Sequence, residues 1–518
     1  MQVVAKHQVE VQQITPKEGW MEQDPLQLVS SVLTCLEEVG VALQSQGRRL
    51  SGIGISNQRE STVLWDKTTG KCLYNAIAWC DGRAAEVAGK MIDHTLSKNK
   101  DDLRPRCGLP INPYFSALKV CWLMDNCDQV REAIEDGRCL FGTVDTWLIW
   151  NLTGGVAGGL HVTDVTNASR TMLMNIHSLQ WDPYLCSFFN IPQSILPQIR
   201  SSSEIYGYIA EGALKGVPIC GCLGDQQAAL VGQQCFGPGD AKNTYGTGCF
   251  LLYNTGQQPV MSRHGMLTTV GYQLGPHAPV VYALEGSVAI GGQSVRWLRD
   301  NLEFFKEARD IEHRASSVKD TGDVYFVPAF SGLFAPYWQP DARGVIIGLT
   351  NYTTKAHLCR ATLEAVCFQS KEVLDAMNQD SHLPLALLKV DGGMTSNNLL
   401  LQLQADILGI PVVRPDMSEM TALGAAIAAG VGAGVWRDVT QFPRQHVSQF
   451  EPQIKPDDRD RRYARWREAV QRSMHWVSSE EHRRLSDAGR KKATAVFSLG
   501  LLTGVVVGVG LVLALRRS

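Results

Sequence analysis

An apolar run, Val217–Leu223, ends at Gly224-Asp225 just before a helical pattern begins. The run predicts a buried strand, and the apolar side chains from Gln226 to Gln234 have helical spacing. Asp225 is therefore predicted at the passage from a strand to a helix. Backbone amides at a helix N-terminus favour an ionised carboxylate, which can accept a proton from a substrate hydroxyl. The alternative is that Asp225 only caps the helix.

Two further glycine turns follow predicted strands. Gly246-Thr247-Gly248 joins the predicted strands Lys242–Tyr245 and Cys249–Tyr253, and its small residues and free amides can approach a phosphate. An ordinary hairpin is the alternative. Gly392-Gly393 follows the apolar run Leu387–Val390 and precedes a helical pattern, so its amides can bind an anion. No Gly-x-x-x-x-Gly-Lys-Ser/Thr pattern occurs in the sequence, which disfavours a Walker-type NTPase.

A series of ordered motifs resembles the glycerol kinases and the wider FGGY family of carbohydrate kinases. In the N-terminal half these motifs are Asn57-Gln58-Arg59-Glu60, Asn75–Trp79, Pro113–Ser116, Phe141–Trp150, Thr166–Arg170 and Gly224–Gln227. In the C-terminal half they are Asn243–Gly248, Pro328–Gly332, Ala335–Trp338, Gly344–Leu349 with His357–Ala361, and Val390–Gly393. The resemblance spans roughly residues 6–476 and implies a kinase.

The resemblance implies that glycerol accepts the phosphoryl group and that Asp225 is the general base for its terminal hydroxyl. The other side chains expected to bind glycerol are Arg59, Glu60, Trp79, Tyr114, Gln226 and Phe250. A small triol offers little apolar area, so its recognition must depend on paired donors and acceptors. A solvated surface pair is the alternative for Arg59-Glu60, although both residues follow an alternating strand predicted over Leu50–Ser56.

The resemblance also implies ATP as the phosphoryl donor, with Mg²⁺. The residues expected to bind the nucleotide are Thr247, Gly292, Gly393 and Asn397, and no magnesium ligand is assigned. Arg296 stands where bacterial members have glutamine. This arginine is expected either to contact a phosphate or to be a surface residue.

The start of the chain departs from the family pattern. Members open with a strand that carries Asp-x-Gly-Thr and a nearby arginine, which bind phosphate and magnesium, whereas this chain begins with Met1–Lys6. Loss of such groups is expected to lower the rate by on the order of 10³ or more. It is also expected to leave neighbouring strands with unpaired amides. A catalytically weak, membrane-tethered binding protein is therefore an alternative function, and a related sugar kinase is a third.

Composition agrees with a large enzyme. The chain has 518 residues, 44% of them apolar, and a formal charge of −2 that gives no reason to expect a nucleic-acid partner. Its fourteen scattered cysteines are expected to be reduced. The predicted fold is α/β, with two ribonuclease-H-like domains of the hexokinase and actin type around a cleft. Residues 1–235 form the glycerol-binding domain, truncated at its start, and residues 236–476 form the nucleotide-binding domain.

The C-terminus predicts a membrane anchor. Residues 493–515 carry no charge and are flanked by basic residues, and as a helix they would span about 34 Å. This segment predicts a tail anchor that follows a basic tether, 477–492. The expected location is the mitochondrial outer membrane, facing the cytosol, with a cytoplasmic pool.

Three glycines of the anchor share one helix face. Gly500, Gly504 and Gly508 are spaced four residues apart, which predicts a homodimer through close helix contact. The alternative is that glycine only tunes the hydrophobicity of the segment.

Overall fold

The computed structural model describes residues 3–330, 332–443 and 445–477. The predicted anchor 493–515, with Gly500, Gly504 and Gly508, lies outside the described residues, as does the predicted tether except for its first residue. Two α/β domains make up the described part of the chain.

The N-terminal domain alternates short strands and helices. Its strands are β1 (Glu22–Gln23), β2 (Ile53–Asn57), β3 (Val63–Asp66), β4 (Ala76–Ile77), β5 (Cys139–Gly142), β6 (Val162–Asp164), β7 (Gln198–Arg200), β8 (Gly207–Tyr208) and β9 (Pro218–Gly224). Its helices are α1 (Pro25–Ser45), α2 (Ala85–His94), α3 (Arg104–Cys107), α4 (Ser116–Asn126), α5 (Asp128–Glu135), α6 (Val144–Leu152), α7 (Val165–Ala168), α8 (Pro183–Phe188) and α9 (Asp225–Gly232).

The C-terminal domain is built around a larger sheet. Its strands are β10 (Ala241–Tyr245), β11 (Cys249–Gly256), β12 (Leu267–Tyr272), β13 (Val281–Val288), β14 (Tyr325–Val327), β15 (Val345–Ile347), β16 (Leu388–Asp391), β17 (Val412–Pro415) and β18 (Val447–Phe450). Its helices are α10 (Gly292–Asp300), α11 (Asp310–Ser316), α12 (Lys355–Ser381), α13 (Asn398–Leu408), α14 (Met420–Gly432) and α15 (Pro456–Ser473).

The small sheet that precedes Asp225 has the strand order β2-β9-β8. Strands β2 and β9 are parallel, and Asn57 pairs with Gly224 at their carboxyl ends. The segments that follow them, with Arg59 and Asp225, therefore leave the same edge of the sheet. Ligands of open α/β sheets gather at this kind of edge.

The larger sheet places the glycine turns in the same way. Its order is β12-β13-β11-β10-β16-β17-β18, and β10 runs parallel to β16 with Thr244 opposite Asp391. The turns that follow β10 and β16 thus lie side by side. The core of this domain forms where α12 packs against β11, β13 and α13.

Helix α14 joins the two domains by packing on α9, β9 and β2. Glycines permit this approach, because a Cβ on Gly424 would lie 1.8 Å from the carbonyl oxygen of Ala228. A Cβ on Gly54 would lie 2.1 Å from the carbonyl oxygen of Ala425. The strand predicted over Leu50–Ser56 is β2, which begins at Ile53 and is buried on both faces.

Helix α1 is the one helix of the described residues that is long and apolar enough to cross a membrane. Its residues Leu28, Val32 and Leu36 belong to a buried cluster of the N-terminal domain. Core helices of globular domains share this length and composition, and α1 packs as a core helix of the N-terminal domain.

Candidate active site

Asp225 is the first residue of α9, and its carboxylate is held from two sides. Arg59 Nε lies 3.2 Å from its Oδ1, and Gln226 Nε2 donates to its Oδ2 at 3.1 Å. Gly224 is the N-cap residue, and no side chain caps the helix there. The Asp225 side chain is therefore not the helix cap, which argues against the alternative that it only caps the helix. The side chain is 36% exposed although its Oδ1 is buried, so a ligand would reach the carboxylate from the side of Oδ2.

The turn before Asp225 is fixed by a threonine that sequence reasoning did not assign. Thr166 Oγ1 accepts from the Gly224 amide at 2.9 Å and donates to Asp164 Oδ1 at 2.9 Å. Burial raises the pKa of Asp164 to about 6. Its oxygens accept hydrogen bonds from the amides of Thr166 and Asn167 as well. The end of β9 is thus anchored to the start of α7.

Arg59 is buried and paired across the domains. Its Nη1 and Nη2 donate to the two carboxylate oxygens of Glu285, on β13, at 2.5 and 3.0 Å. Arg170 Nη2 donates to the same carboxylate at 3.2 Å. Burial opposes ionisation of Glu285, but Arg170 and Arg59 outweigh it and lower its pKa to about 2. Glu285 therefore stays ionised and fixes the guanidinium of Arg59.

Glu60 is held in a strained backbone conformation. Its φ is 60°, in the left-handed region that side chains other than glycine rarely adopt. Arg170 Nε donates to Glu60 Oε1 at 2.6 Å. Glu60 is 1% and Arg59 is 3% exposed, so the alternative of a solvated surface pair is wrong. Burial raises the pKa of Glu60 despite the pairing with Arg170.

Three predicted aromatic residues share one wall of the site. The Trp79 ring lies edge-on to Tyr114 and Phe250, with centroid separations of 5.7 and 6.3 Å. Trp79 and Tyr114 belong to the N-terminal domain, whereas Phe250 lies on β11. Burial raises the pKa of Tyr114, so its hydroxyl stays protonated. Apolar side chains from both domains therefore meet in this wall.

Gln226 completes the polar side of the site. It is 7% exposed, and its Oε1 accepts from Lys242 Nζ on β10 at 2.5 Å. The structure thus brings together all the residues predicted to bind glycerol, although their roles stay predictions. Sequence reasoning missed Arg170, Glu285 and Lys242. The signal for Glu285 was a charged residue inside a mostly apolar strand, whereas Lys242 lies in a strand with polar neighbours and gave no such signal.

The predicted nucleotide-binding glycines also converge. The carbonyl oxygen of Thr247 accepts from the Gly291 and Gln293 amides at 2.9 and 3.0 Å, and the Gly292 amide donates to Gly246 at 2.9 Å. A Cβ on Gly292 would lie 3.2 Å from Met394 Sδ. The turn after β10, the start of α10 and the turn after β16 therefore form one surface. Strands β10 and β11 form a hairpin, which was the alternative interpretation of Gly246-Thr247-Gly248. The turn of a hairpin can also approach a phosphate, so the two interpretations are compatible.

The remaining nucleotide predictions fall on the same turns. Gly393 begins a 3₁₀ helix, Gly393–Ser396, and a Cβ added to it would meet open space. Asn397 caps α13 through its Oδ1, which accepts from Leu400 at 2.8 Å, so this oxygen is already used. Arg296 lies one turn beyond Gly292 on α10 and is half-buried. Burial lowers its pKa.

One compact group of three possible metal ligands occurs among the described residues, and it does not suit magnesium. In the described ranges, the compact group of possible ligands is Asp145, Asp164 and Cys222. Hydroxyl donors already occupy both carboxylates, from Thr143 and Thr163 on Asp145 and from Thr166 and Ser202 on Asp164. Mg²⁺ requires free oxygen ligands, so this group does not fit the ion.

Comparison with known proteins agrees with this architecture. Residues 1–232 match the N-terminal domain of the FGGY family of carbohydrate kinases, and residues 241–433 match its C-terminal domain. A glycerol kinase of Roseiflexus sp. is 52% identical over 92% of this chain and 95% of the relative. A probable glycerol kinase of Caenorhabditis elegans is 49% identical with the same coverage.

Solved structures show the same fold. The crystal structure of Plasmodium falciparum glycerol kinase with ADP has a TM-score of 0.86 and 37% identity, and the match covers 91% of this chain and 94% of that one. A gluconate kinase of Lactobacillus acidophilus, 20% identical, has a TM-score of 0.76 and supports the fold alone. The chain therefore belongs to the FGGY family of carbohydrate kinases, with glycerol kinases among its relatives.

Proposed function

We propose that this chain transfers the γ-phosphoryl group of ATP to the terminal hydroxyl of glycerol. The observation that carries the proposal is the partly exposed carboxylate of Asp225, which is held by Arg59 and Gln226 at the edge where the two domains meet. The glycerol kinases that are about half identical to the chain support the choice of substrate.

In this mechanism Asp225 accepts the proton of the terminal hydroxyl. The oxygen forms a bond to the γ-phosphorus, the bond between this phosphorus and the bridging oxygen of ADP breaks, and the products are glycerol 3-phosphate and ADP. General-base catalysis of this kind contributes about 10²- to 10⁴-fold to a rate. Each carboxylate oxygen can accept two hydrogen bonds, so Oδ2 keeps a position for the hydroxyl beside the Gln226 amide.

The surroundings of Asp225 suit a short polyol. Arg59, Glu60 and Tyr114 supply charged or polar groups for the other two hydroxyls, while Trp79 and Phe250 cover the carbon atoms. A substrate that lacks one of these hydroxyls leaves a buried polar group unpaired, which costs about 1–3 kcal/mol. A longer sugar would have to displace the aromatic wall.

The nucleotide binds, in this proposal, along the joined glycine turns. Thr247, Gly292, Gly393 and Asn397 lie on these turns, and the glycines leave room for a phosphate to approach the backbone. Mg²⁺ would accompany the phosphates and supply positive charge there. No step of the proposed mechanism depends on a magnesium ligand from this chain.

The product of the reaction tests the proposal. The purified full chain in detergent, with magnesium and ATP, is expected to convert glycerol to glycerol 3-phosphate, with one ADP formed per product, as measured by ³¹P NMR. Xylulose and gluconate serve as competing acceptors. Faster phosphorylation of either one would contradict the choice of glycerol, and no turnover of any acceptor would favour a binding protein.

We also propose that residues 493–515 anchor the enzyme in the mitochondrial outer membrane with its kinase domains in the cytosol. The proposal rests on the uncharged segment and its basic flanks. Full-length protein is expected in the carbonate-resistant membrane fraction of mitochondria, whereas a chain without 493–515 is expected in the cytosol. Equal distribution of the two chains would refute the anchor.

The anchor is further proposed to form a homodimer through Gly500, Gly504 and Gly508. Gly504→Leu is expected to weaken association of the segment in a membrane two-hybrid assay, because a large side chain prevents close helix contact. Gly510→Leu, on another helix face, is the matched control. Unchanged association of the Gly504 variant would exclude this interface.

A further inference from the structure

Lys242 is a buried cation that the proposed mechanism does not use. It lies on β10 with 0% exposure. A buried ammonium group is costly unless its N–H groups are paired, and those of Lys242 are paired with three acceptors. Nζ donates to Gln226 Oε1 at 2.5 Å, to Thr244 Oγ1 at 2.9 Å and to the Phe250 carbonyl at 3.2 Å. Burial lowers its pKa to about 8, while Asp391 and Asp225 act in the opposite direction.

The contact with Lys242 determines which way the Gln226 amide points. An ammonium group can only donate hydrogen bonds, so the oxygen of the amide must face Lys242. The NH₂ end of the same amide then faces Asp225 and donates to Oδ2 at 3.1 Å. If the amide were reversed, two groups of donors would face each other. Lys242 therefore selects the orientation in which Gln226 binds the carboxylate.

Lys242, Gln226 and Asp225 form a chain of hydrogen bonds that connects the C-terminal domain to the N-terminal domain. Lys242 lies on the hairpin of β10 and β11, whose turn carries Thr247, whereas Gln226 and Asp225 lie on α9. The third acceptor of Lys242 is Phe250, the aromatic residue that packs against Trp79. The same lysine thus contacts the hairpin of the predicted nucleotide turn and orients the neighbour of the predicted base.

We propose that Lys242 is a positioning residue for phosphoryl transfer: through Gln226 it fixes the carboxylate of Asp225 relative to the β10–β11 hairpin. The inference rests on the proposed function, since it assigns a task to the carboxylate. Arg59 contacts Oδ1 as an ion pair and Gln226 donates a hydrogen bond to Oδ2, so loss of Lys242 loosens the hydrogen-bonded contact. Misplacement of a reacting group by about 1 Å can cost 10²-fold in rate.

A double-mutant cycle on the full chain tests the proposal. Lys242→Met and Gln226→Leu are each expected to lower kcat by about tenfold or more, while the KM for ATP changes less than threefold. Because both changes break the same chain of contacts, the double variant is expected to be no slower than the slower single variant. Losses in kcat that multiply would show that the two residues act independently and would overturn the proposal.

Lys389→Met is the matched control. Lys389 lies opposite Lys242 on the neighbouring strand β16, and its Nζ donates to the Gln234 carbonyl at 2.8 Å instead. The kcat of the Lys389→Met variant is expected to stay within threefold of the wild-type value. A similar loss in this control would mean that any lysine removed from the sheet slows the enzyme, and the special role of Lys242 would be rejected.

The outcomes distinguish failure of this inference from failure of the proposed function. If Lys242→Met does not fold, as judged by thermal denaturation, Gln226→Leu alone decides, and a kcat within threefold of wild type overturns the inference. If wild-type protein fails to phosphorylate glycerol, the proposed function and this inference both fall. Active wild type with unchanged variants contradicts the inference only.

Discussion

Glu285 shows how a single residue can join the two domains at the site. Its carboxylate, on β13, accepts from Arg59 and Arg170, which both belong to the N-terminal domain. All three side chains are at most 3% exposed. A buried ion pair of this kind is worth little in net stability, but removal of one partner leaves an uncompensated charge.

Glu285→Gln is therefore expected to lower the free energy of unfolding by about 3–5 kcal/mol. It is also expected to raise the KM for glycerol at least tenfold, because Arg59 loses its fixed position. Chemical denaturation and steady-state kinetics measure the two effects. Glu86→Gln, which removes an exposed pair with Lys90, should change neither quantity. A normal KM in a folded Glu285 variant would contradict the positioning of Arg59.

At this scale the sequence identified the residues of the site better than their connections. Asp225, Arg59 and the aromatic residues stand in recognisable motifs, and the structure brings them together. Glu285 was missed because it lies 226 positions from Arg59 in the sequence and only the packing of two domains makes them neighbours. Arg170 stood in a quoted motif, but nothing local indicates that it faces Glu60.

Among the elements, α9 and α14 are packed so closely that their backbones touch. Gly424 on α14 faces Ala228 on α9, the helix that begins at Asp225. The contact therefore fixes the distance between α14 and the helix that carries the predicted base. Close packing of this type tolerates no added methyl group without a shift of one helix.

Gly424→Ala is expected to lower the free energy of unfolding by about 1–3 kcal/mol and to reduce kcat. The control is Gly89→Ala in α2, where an added Cβ meets open space. That change is expected to leave kcat unchanged and to stabilise the helix slightly. Thermal denaturation and turnover of both variants provide the comparison, and equal stability of the two would refute the close contact.

A second element-scale prediction concerns Glu372 on α12, which links α15 to the segment before β15. It accepts from Tyr337 Oη at 2.5 Å and from Trp466 Nε1 at 2.8 Å, and burial raises its pKa to about 7. Between the ordinary pKa of a glutamate and pH 7, Glu372 stays protonated in the folded protein but is ionised in the unfolded chain. The contribution of this group to stability is thus present at low pH and is lost as the pH rises through 7.

Glu372→Gln is expected to remove this dependence. Relative to wild type, the variant should gain about 1–3 kcal/mol in free energy of unfolding between pH 5 and pH 8. Urea denaturation at both pH values measures the difference. Glu468→Gln, on the exposed side of α15, should show no such change. A constant difference between wild type and the Glu372 variant would mean that Glu372 is ionised throughout this range.

The elements themselves follow from local sequence where one pattern dominates. The strand before Asp225 and the helix after it were predicted nearly to the residue, because the apolar run and the glycine mark their bounds. The burial of β2 was not predicted. Its alternation suggests one exposed face, but α14, more than 350 residues later in the chain, covers that face.

In the whole molecule, the site exists only where the domains meet. The N-terminal domain contributes Asp225, Arg59 and Trp79, and the C-terminal domain contributes Phe250 and Lys242. The segments that follow β2 and β9 meet the larger sheet there, since Gln226 contacts Lys242 on β10 and Arg59 contacts Glu285 on β13. The sequence predicted the two domains through the family resemblance, whereas composition and periodicity alone reached only the α/β class.

The most direct measurement compares kcat for wild type, Asp225→Asn and the surface control Asp300→Asn, with glycerol binding followed by titration calorimetry. The Asp225 variant is expected to bind glycerol within tenfold of wild type and to lose about 10²- to 10⁴-fold in kcat, because it cannot take the proton. The Asp300 variant should match wild type. An Asp225 variant that turns over glycerol at the wild-type rate would contradict the assignment of Asp225 as the base.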